Sequence, residues 1–261
     1  MKLSVSLGLL LHLRWALGVA LPPTLKAIFH KPSLLLHPHE ISHIFMSHVW
    51  LSGMGDGIDA NAREDKTPLI TPNAYGVVLD IGAGHGHTVN YLDTSRVTKY
   101  VAVEPNTLMH VEIRKLANKA GFTEEADTLV ILPYGAEHTA SIASALGGPL
   151  SVDTIISVLS LCSIPKPEET IRRVVEELLK PGGQFLFYEH VLSPRADIAW
   201  WQRFWTPIWS KALDGCSLDR PTHVWVRRAT KWDVEETWGT ADDPEDHLFC
   251  HQVGRFVKAA A

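Results

Sequence analysis

Residues 77–90 read Val-Val-Leu-Asp-Ile-Gly-Ala-Gly-His-Gly-His-Thr-Val-Asn, and this stretch decides the fold. An apolar strand ends near the acidic side chain of Asp80, and Gly82, Gly84 and Gly86 then lead into a helix-like pattern. Glycine allows a sharp turn and a close approach of the backbone to a bulky ligand, because it has no Cβ. Free amides at the start of the following helix meet polar ligand groups. The stretch predicts a ligand-binding loop, and a glycine-rich turn without a ligand is the alternative.

A second acidic residue indicates what kind of ligand the loop holds. Glu104 follows the next apolar strand, 24 residues after Asp80, and a carboxylate there accepts hydrogen bonds from both ribose hydroxyls. A dinucleotide loop needs its third glycine three residues after the second, where this chain has His87, so NAD and FAD are disfavoured. The two signals together predict a site for S-adenosyl-L-methionine. The alternative for Glu104 is an ordinary helix cap.

Length, charge and cysteine content narrow the class of protein. A chain of 261 residues buries one full core, which predicts one catalytic domain with an N-terminal extension. The net charge is −5 with both signs interspersed, so no basic surface predicts a nucleic-acid partner. Cys162, Cys216 and Cys250 fit neither a disulfide framework nor a zinc signature. They favour a reducing compartment, and no metal site is predicted.

Residues 1–30 are predicted to be a hydrophobic membrane-anchoring segment. The first 21 residues are almost wholly apolar, and Pro22 and Pro23 are expected to stop any helix there. Arg14 would lie near the middle of a span at a cost of about 3 kcal/mol, so an in-plane or hairpin anchor competes with a spanning one. A cleaved secretory signal and a buried N-terminal helix are the other interpretations.

Residues 31–75 are predicted to form a helical cover followed by a linker. The pattern from 34 to 51 is helical, whereas 53–72 has the composition of a polar connector. His39 and His43 share a helix face, but a metal site needs at least three converging ligands, which disfavours one here. Contact of His43 or His48 with a substrate remains open.

From residue 76 to the end, strands and helices alternate, which predicts an α/β domain. We expect a doubly wound, mostly parallel, seven-stranded Rossmann-like sheet with an antiparallel last strand. The predicted strands are 76–81, 100–104, 129–133, 152–161, 184–189, 231–238 and 252–258, and helices are predicted at 108–120 and 168–179.

Ligands of such sheets bind beyond the carboxyl ends of the strands, so the residues at those ends should converge. The predicted cofactor-binding residues are Asp80, Gly82, Gly84, Gly86, Glu104, Pro105, Asn106, Gly135, Ala136, Glu137, Ser157, Val158 and Leu159. Asp153 begins its strand at the opposite end, which favours a structural hydrogen bond.

Aromatic residues are dense between 198 and 213. Trp201, Trp205 and Trp209 recur every four residues and would share one helix face, with Pro207 bending the helix nearby. Such a stripe is usually part of a core. An apolar acceptor pocket or a membrane-facing lid is the alternative.

The chain resembles class I S-adenosylmethionine-dependent methyltransferases, and specifically the membrane-anchored methyltransferase-like group that includes the alkyl thiol S-methyltransferases. The resemblance covers residues 76–260. It rests on Leu-Cys-Ser at 161–163, Lys-Pro-Gly-Gly at 180–183, Tyr-Glu-His at 188–190 and Asp-Gly-Cys at 214–216. Ala83, His85 and Glu104 stand where this group usually has Cys, Thr and Asp.

The resemblance implies methyl transfer to a small lipophilic acceptor, with a thiol favoured. An amine or hydroxyl of a peptide or secondary metabolite is the alternative acceptor, and a non-catalytic binding protein is the alternative class. It also implies a membrane-associated protein whose catalytic domain faces the cytosol, at the endoplasmic reticulum or a lipid droplet, with a cytoplasmic protein as the alternative. The oligomeric state is not predicted.

Methyl transfer from a sulfonium is an in-line displacement that mainly needs the acceptor held near the methyl group. His190 is the first candidate for orienting or deprotonating the acceptor, and Glu189 and Asp214 are the second candidates. A strand end at Glu189 and His190, and a helix cap at Asp214, are the structural alternatives. Direct transfer needs no covalent intermediate, so buried packing is expected for Cys162.

Overall fold

A computed structural model describes residues 3–240, 243–244 and 246–260. Within these residues the strands are β1 (Gly76–Ile81), β2 (Val97–Val103), β3 (Leu129–Leu132), β4 (Val152–Val158), β5 (Leu179–Val191), β6 (Trp232–Trp238) and β7 (Cys250–Lys258). They form one seven-stranded sheet in the order β3-β2-β1-β4-β5-β7-β6. The pairs among β1 to β5 are parallel, and β7 is antiparallel to both β5 and β6. The predicted fold class is therefore confirmed.

Helices cover both faces of the sheet. In chain order they are α1 (Leu3–His30), α2 (Pro38–Val49), α3 (Gly55–Asn61), α4 (Arg63–Ile70), α5 (His110–Lys119), α6 (Thr139–Ala145), α7 (Pro167–Arg173), α8 (Ala196–Ala212) and α9 (Thr222–Arg228). One apolar cluster packs against each face, around Ile155 and Phe187 on one side and around Ile156 and Tyr100 on the other. Burial on both faces explains the continuous apolar runs of the central strands.

The N-terminal third differs from the prediction in two places. Pro22 and Pro23 do not stop the first helix, since α1 continues to His30. Ala20 and Thr24 are buried on either side of them, and this packing outweighs the lost helical hydrogen bonds. The expected polar connector at 53–72 is also wrong. It is helical through Ile70, and a π-helical turn (Trp50–Met54) links α2 to α3.

A third apolar cluster joins the N-terminal helices to the aromatic helix α8. Trp205 and Trp209 are buried in it, Trp201 packs against its edge, and the face that they share is confirmed. Trp205 Nε1 donates a hydrogen bond of 3.0 Å to Ser6 Oγ on α1. Residues 4–30 are long and apolar enough to cross a membrane by length and composition, yet one side of α1 packs on the domain.

Strand boundaries shift where the backbone turns. β4 ends at Val158, three residues before the predicted end, because Leu159 has a left-handed backbone with φ +52°. β5 is longer than predicted at both ends. At the other end of β4, Asp153 accepts a 2.8 Å hydrogen bond from Val77 N and pairs with Lys180, the structural role expected for it.

Candidate active site

A cavity of about 600 Å³ lies beyond the carboxyl ends of β1, β2, β4 and β5. One part of its wall comes from the glycine loop and from Glu104. Another part comes from α1, α2 and the segments around Cys216 and Phe249. The cavity therefore joins the predicted cofactor loop to a largely apolar chamber.

The glycines of the loop have left-handed backbones, with φ of +65° at Gly82, +56° at Gly84 and +83° at Gly86. Residues with a side chain rarely adopt this backbone conformation, and the neighbouring atoms leave no room for a Cβ. A Cβ on Gly82 would lie 2.6 Å from Ser160 Cβ, and a Cβ on Gly84 would lie 2.9 Å from Trp50 Cη2. Gly82 and Gly84 line the cavity, whereas Gly86 packs away from it.

The carboxylate of Glu104 lies at the mouth of this loop. It accepts hydrogen bonds from Gly84 N at 2.9 Å and from Asn106 N at 2.8 Å. Burial raises the pKa of Glu104 to about 7, against these two hydrogen bonds, which lower it. Pro105 and Asn106 also line the cavity, and the Asn106 side chain donates to the His43 carbonyl at 2.9 Å, which ties α2 to the end of β2.

Asp80 lies behind the loop and does not line the cavity. Tyr100 Oη donates a hydrogen bond of 2.7 Å to its carboxylate. Burial raises the pKa of Asp80 to about 6, while the hydrogen bonds from Tyr100 and Thr88 oppose the shift. In the described structure Asp80 therefore supports the loop from within.

Gly135, Ala136 and Glu137, which are predicted to bind the cofactor, follow β3 and line the cavity. The Glu137 carboxylate lies directly against Gly135. After β4, Leu159 reaches the cavity, but Ser157 and Val158 do not.

Glu189 is fully buried and also lies outside the cavity wall. Its Oε1 accepts hydrogen bonds from Ser157 Oγ at 2.7 Å, Ser160 N at 2.9 Å and Leu161 N at 3.1 Å. These contacts fix the turn after β4. The geometry gives Glu189 a positioning role for the wall of the site.

His190, the next residue, does line the cavity. Its Nε2 lies 3.3 Å from Cys216 Sγ, and Cys162 adjoins both residues. A hydrogen bond to Cys216, together with burial, raises the pKa of the Cys162 thiol well above its usual value. The same hydrogen bond lowers the pKa of Cys216 despite its burial. Cys162 is buried as expected, and its Sγ lies 3.5 Å from the Leu159 carbonyl oxygen and 3.5 Å from Ser163 Oγ.

Asp214 lies on the same wall, beside α2. It accepts a hydrogen bond of 2.7 Å from Ser42 Oγ, and its Oδ2 lies 4.0 Å from His43 Nε2. Burial lowers the pKa of His43, while the Asp214 charge opposes the shift. His43 lines the cavity and His48 does not. Of these two histidines, only His43 is therefore positioned to contact a substrate.

Several wall residues were not anticipated from the sequence. They are His12 and Trp15 of α1, Trp50 and Met54 of the π-helical turn, and His247, Phe249 and His251 near β7. Trp50 gave no signal in the helical pattern at 34–51, because its side chain projects opposite the apolar side of that pattern. The others come from segments whose contact with the site depends on tertiary packing.

The family described as a methyltransferase domain matches residues 54–236. The chain belongs to this methyltransferase family. It is 30% identical over 183 residues to the thiol S-methyltransferase TMT1B of Rattus norvegicus, an alignment that covers 69% of this chain and 70% of the relative.

Solved structures share the fold of this methyltransferase. The YcgJ protein of Bacillus subtilis superposes with a TM-score of 0.55 at 16% identity, over 76% of this chain and all of that one. The [4+2]-cyclase SpnF superposes with a TM-score of 0.57 at 12% identity, over 77% of this chain and 81% of that one. At these identities the likeness shows the fold alone. The family match and the rat relative identify the chain as an S-adenosylmethionine-dependent methyltransferase.

Proposed function

We propose that this methyltransferase transfers a methyl group to the sulfur of a small lipophilic thiol. The observation that carries the proposal is the single cavity that connects the glycine loop and Glu104 with an apolar chamber. Trp15, Met46, Trp209 and Phe249 line that chamber, and such walls suit an uncharged, lipophilic acceptor. The rat relative, whose name gives thiol S-methylation, supports sulfur as the accepting atom.

The donor end of the cavity follows from the glycine loop. When bound, S-adenosylmethionine supplies an electrophilic methyl group on a sulfonium. The loop of Gly82 and Gly84 fits it, because both glycines line the cavity and a backbone without Cβ atoms lets a bulky ligand approach closely. Glu104 would accept from the ribose hydroxyls, with Pro105, Asn106 and residues 135–137 around the nucleoside. Asp80, Gly86, Ser157 and Val158 would act by shaping this wall, and Leu159 by direct contact.

The acceptor end holds the candidate catalytic groups. His190 faces the cavity beside Cys216, where it would orient the acceptor sulfur. Asp214, with His43 beside it, would receive the proton that a thiol releases. Glu189 would act through the turn at 157–161 rather than on the acceptor.

The exposed apolar residues on the outer surface of the chain are also consistent with a lipophilic acceptor. Leu11 on α1 is 68% exposed and Phe29 is 82% exposed, and Trp200 and Phe204 on α8 add further apolar surface. Membranes bind surfaces of this kind. We propose that the protein associates with a membrane, with its catalytic domain on the cytosolic side, where it would take acceptors from the bilayer.

The test is an acceptor screen with radiolabelled S-adenosylmethionine and the full chain in lipid nanodiscs. Matched aryl acceptors, namely thiophenol, phenol and aniline, differ only in the accepting atom. We expect label in the thioether. Transfer to oxygen or nitrogen alone would overturn the thiol proposal.

A His190→Ala variant tests the acceptor end. We expect the rate with thiophenol to fall by about 10²-fold, the lower range for a catalytic side chain, while binding of S-adenosylhomocysteine is kept. Full activity of this variant would remove His190 from the mechanism.

A further inference from the structure

Three potential metal ligands from different segments meet at the acceptor end of the cavity. Cys162 lies in the turn after β4, His190 near the end of β5, and Cys216 after α8. Their ligand atoms, two Sγ atoms and one imidazole nitrogen, all lie within 4.8 Å of one another. Cys162 and His190 are almost fully buried.

These atoms lie close enough together to share one zinc ion. Bonds of about 2.3 Å to sulfur and about 2.0 Å to nitrogen place tetrahedral ligand atoms roughly 3.5 to 3.8 Å apart. The distance from Cys216 Sγ to His190 Nε2 is 3.3 Å, so a small outward movement would admit the ion. Two thiolates and one imidazole form a donor set that selects zinc over hard cations.

The fourth position of such an ion would face the cavity. All three residues line the cavity wall, and the ligand set from the described residues is complete at three. Structural zinc sites have four protein ligands, whereas reactive sites keep one position open. The geometry points to a site of the second kind.

We propose that Cys162, His190 and Cys216 bind a zinc ion whose open position takes the acceptor thiol as a thiolate. The ion site stands on the geometry alone, whereas its use for the acceptor rests on the proposed thiol methylation. The sequence-based expectation of no metal site took account of spacing along the chain, which does not reveal a cluster assembled from distant segments.

The step balances without a further reactant. The acceptor thiol loses its proton to Asp214 or to water as its sulfur binds zinc, which stabilises the thiolate at neutral pH. The sulfur then attacks the methyl group, so a sulfur–methyl bond forms as the bond from that methyl group to the donor sulfonium breaks. The products are a thioether and S-adenosylhomocysteine. The neutral thioether is a weak zinc ligand and leaves.

The test begins with the metal content of the full chain in detergent micelles, purified under reducing conditions without chelators. We expect about one zinc ion per chain from elemental analysis. In the Cys162→Ser and Cys216→Ser variants we expect less than about a tenth of that content. Cys250→Ser is the matched control, because Cys250 lies on β7 outside the cluster, and it should keep the zinc.

Cobalt exchanged into the unchanged chain makes the site visible and does not depend on variants that fail to fold. Tetrahedral cobalt with thiolate ligands gives charge-transfer and ligand-field absorption. We expect these bands to appear on loading with Co²⁺ and to shift when thiophenol is added, but not when phenol is added.

The outcomes separate the two proposals. A reduced chain without zinc and without cobalt–thiolate bands, or cysteine variants that keep their zinc, would overturn the metal site. The metal site would also be overturned if Cys162 and Cys216 were joined by a disulfide that persists under reducing conditions. If the chain binds zinc but the cobalt bands do not shift when thiophenol is added, the proposed role of the ion in acceptor binding is overturned. Zinc bound by a chain that methylates only oxygen or nitrogen would refute the proposed function and leave the metal site standing.

Discussion

The carboxylate of Glu104 accepts a 2.9 Å hydrogen bond from the backbone amide of Gly84. This contact links the end of β2 to the middle of the glycine loop, so the proposed ribose ligand and the proposed cradle are fixed relative to each other. Both groups are buried apart from their cavity side. Removing the charge of Glu104 should therefore affect the loop and the bound cofactor together.

Glu104→Gln should weaken the binding of S-adenosylhomocysteine by about 10- to 100-fold, since hydrogen bonds to a charged group contribute roughly 1.5–3 kcal/mol. Calorimetry measures the affinity, and thermal unfolding checks that the variant is folded. Glu125→Gln, on an exposed loop, is the matched control and should bind like the unchanged chain. Unaltered affinity in Glu104→Gln would remove this residue from the cofactor site.

The affinity for S-adenosylhomocysteine should also depend on pH through Glu104. Burial raises the pKa of this residue to about 7, so the ligand-free chain is protonated there at pH 6 and must lose that proton to accept from the ribose. We expect affinity about 10-fold weaker at pH 6 than at pH 8, and a flat profile in Glu104→Gln.

The stability of the ligand-free chain should change in the opposite sense. A carboxyl group whose pKa is higher in the folded state stabilises the fold below its unfolded pKa, and that contribution is lost as the pH rises to about 7. Denaturant unfolding across this interval should therefore show a smaller decline in Glu104→Gln than in the unchanged chain. Equal declines would contradict the assignment.

Gly84→Ala should destabilise the chain by about 1–2 kcal/mol, the cost of a left-handed backbone for a residue with a side chain. The new Cβ would also press on Trp50, so we expect weaker cofactor binding. Gly57→Ala is the control, since Gly57 lies in α3 with open space around it, and alanine there should be neutral or stabilising. Equal stability of the two variants would count against the loop conformation.

Trp205→Ala should cost about 3–5 kcal/mol in the free energy of unfolding, because it leaves a large cavity between α8 and α1. It also removes the hydrogen bond to Ser6, so protease cleavage within α1 should become faster. Trp200→Ala on the same helix removes a side chain that is 57% exposed and should cost much less. Similar losses in the two variants would show that α1 does not dock on α8.

Asp59→Ala should destabilise the chain by about 3–5 kcal/mol, since it leaves the buried Lys66 ammonium without its carboxylate partner. It also removes the acceptor of a 2.9 Å hydrogen bond from Tyr91 Oη. Asp56→Ala, three residues earlier, alters a carboxylate that is 86% exposed and should change stability by less than about 1 kcal/mol. Chemical unfolding of both variants decides the matter.

The sequence predicted the sheet well because its signals are local. The glycine loop and the acid at Glu104 each follow an apolar strand, and apolar runs of this kind identify buried parallel strands. The prediction for residues 53–72 was wrong because their structure depends on contacts that are not local in sequence pattern. Asp59 and Lys66 have the composition of a loop, yet they are buried as a pair within helices, and pairing of this kind leaves no trace in periodicity.

The site was predictable in part for the same reason. Residues at strand ends, such as Glu104 and His190, reach the cavity as the topology requires. His12, on the other hand, lies about 70 residues from the glycine loop, and only the docking of α1 brings it to the wall. Contacts of that kind depend on tertiary packing, which one sequence does not specify by pattern.

Helix α1 has two functional faces. One is apolar and exposed and includes Leu11, and the other carries His12 and Trp15, which line the cavity. This has a practical consequence for handling the protein. Deleting the first 30 residues to improve solubility would open the chamber to water and change which acceptors fit. Detergents also affect the chamber. A detergent molecule that covers the exposed face of α1 lies within reach of the chamber and competes with lipophilic acceptors for it. Measured acceptor preferences will therefore depend on the detergent, and lipid nanodiscs are the better medium for comparing them.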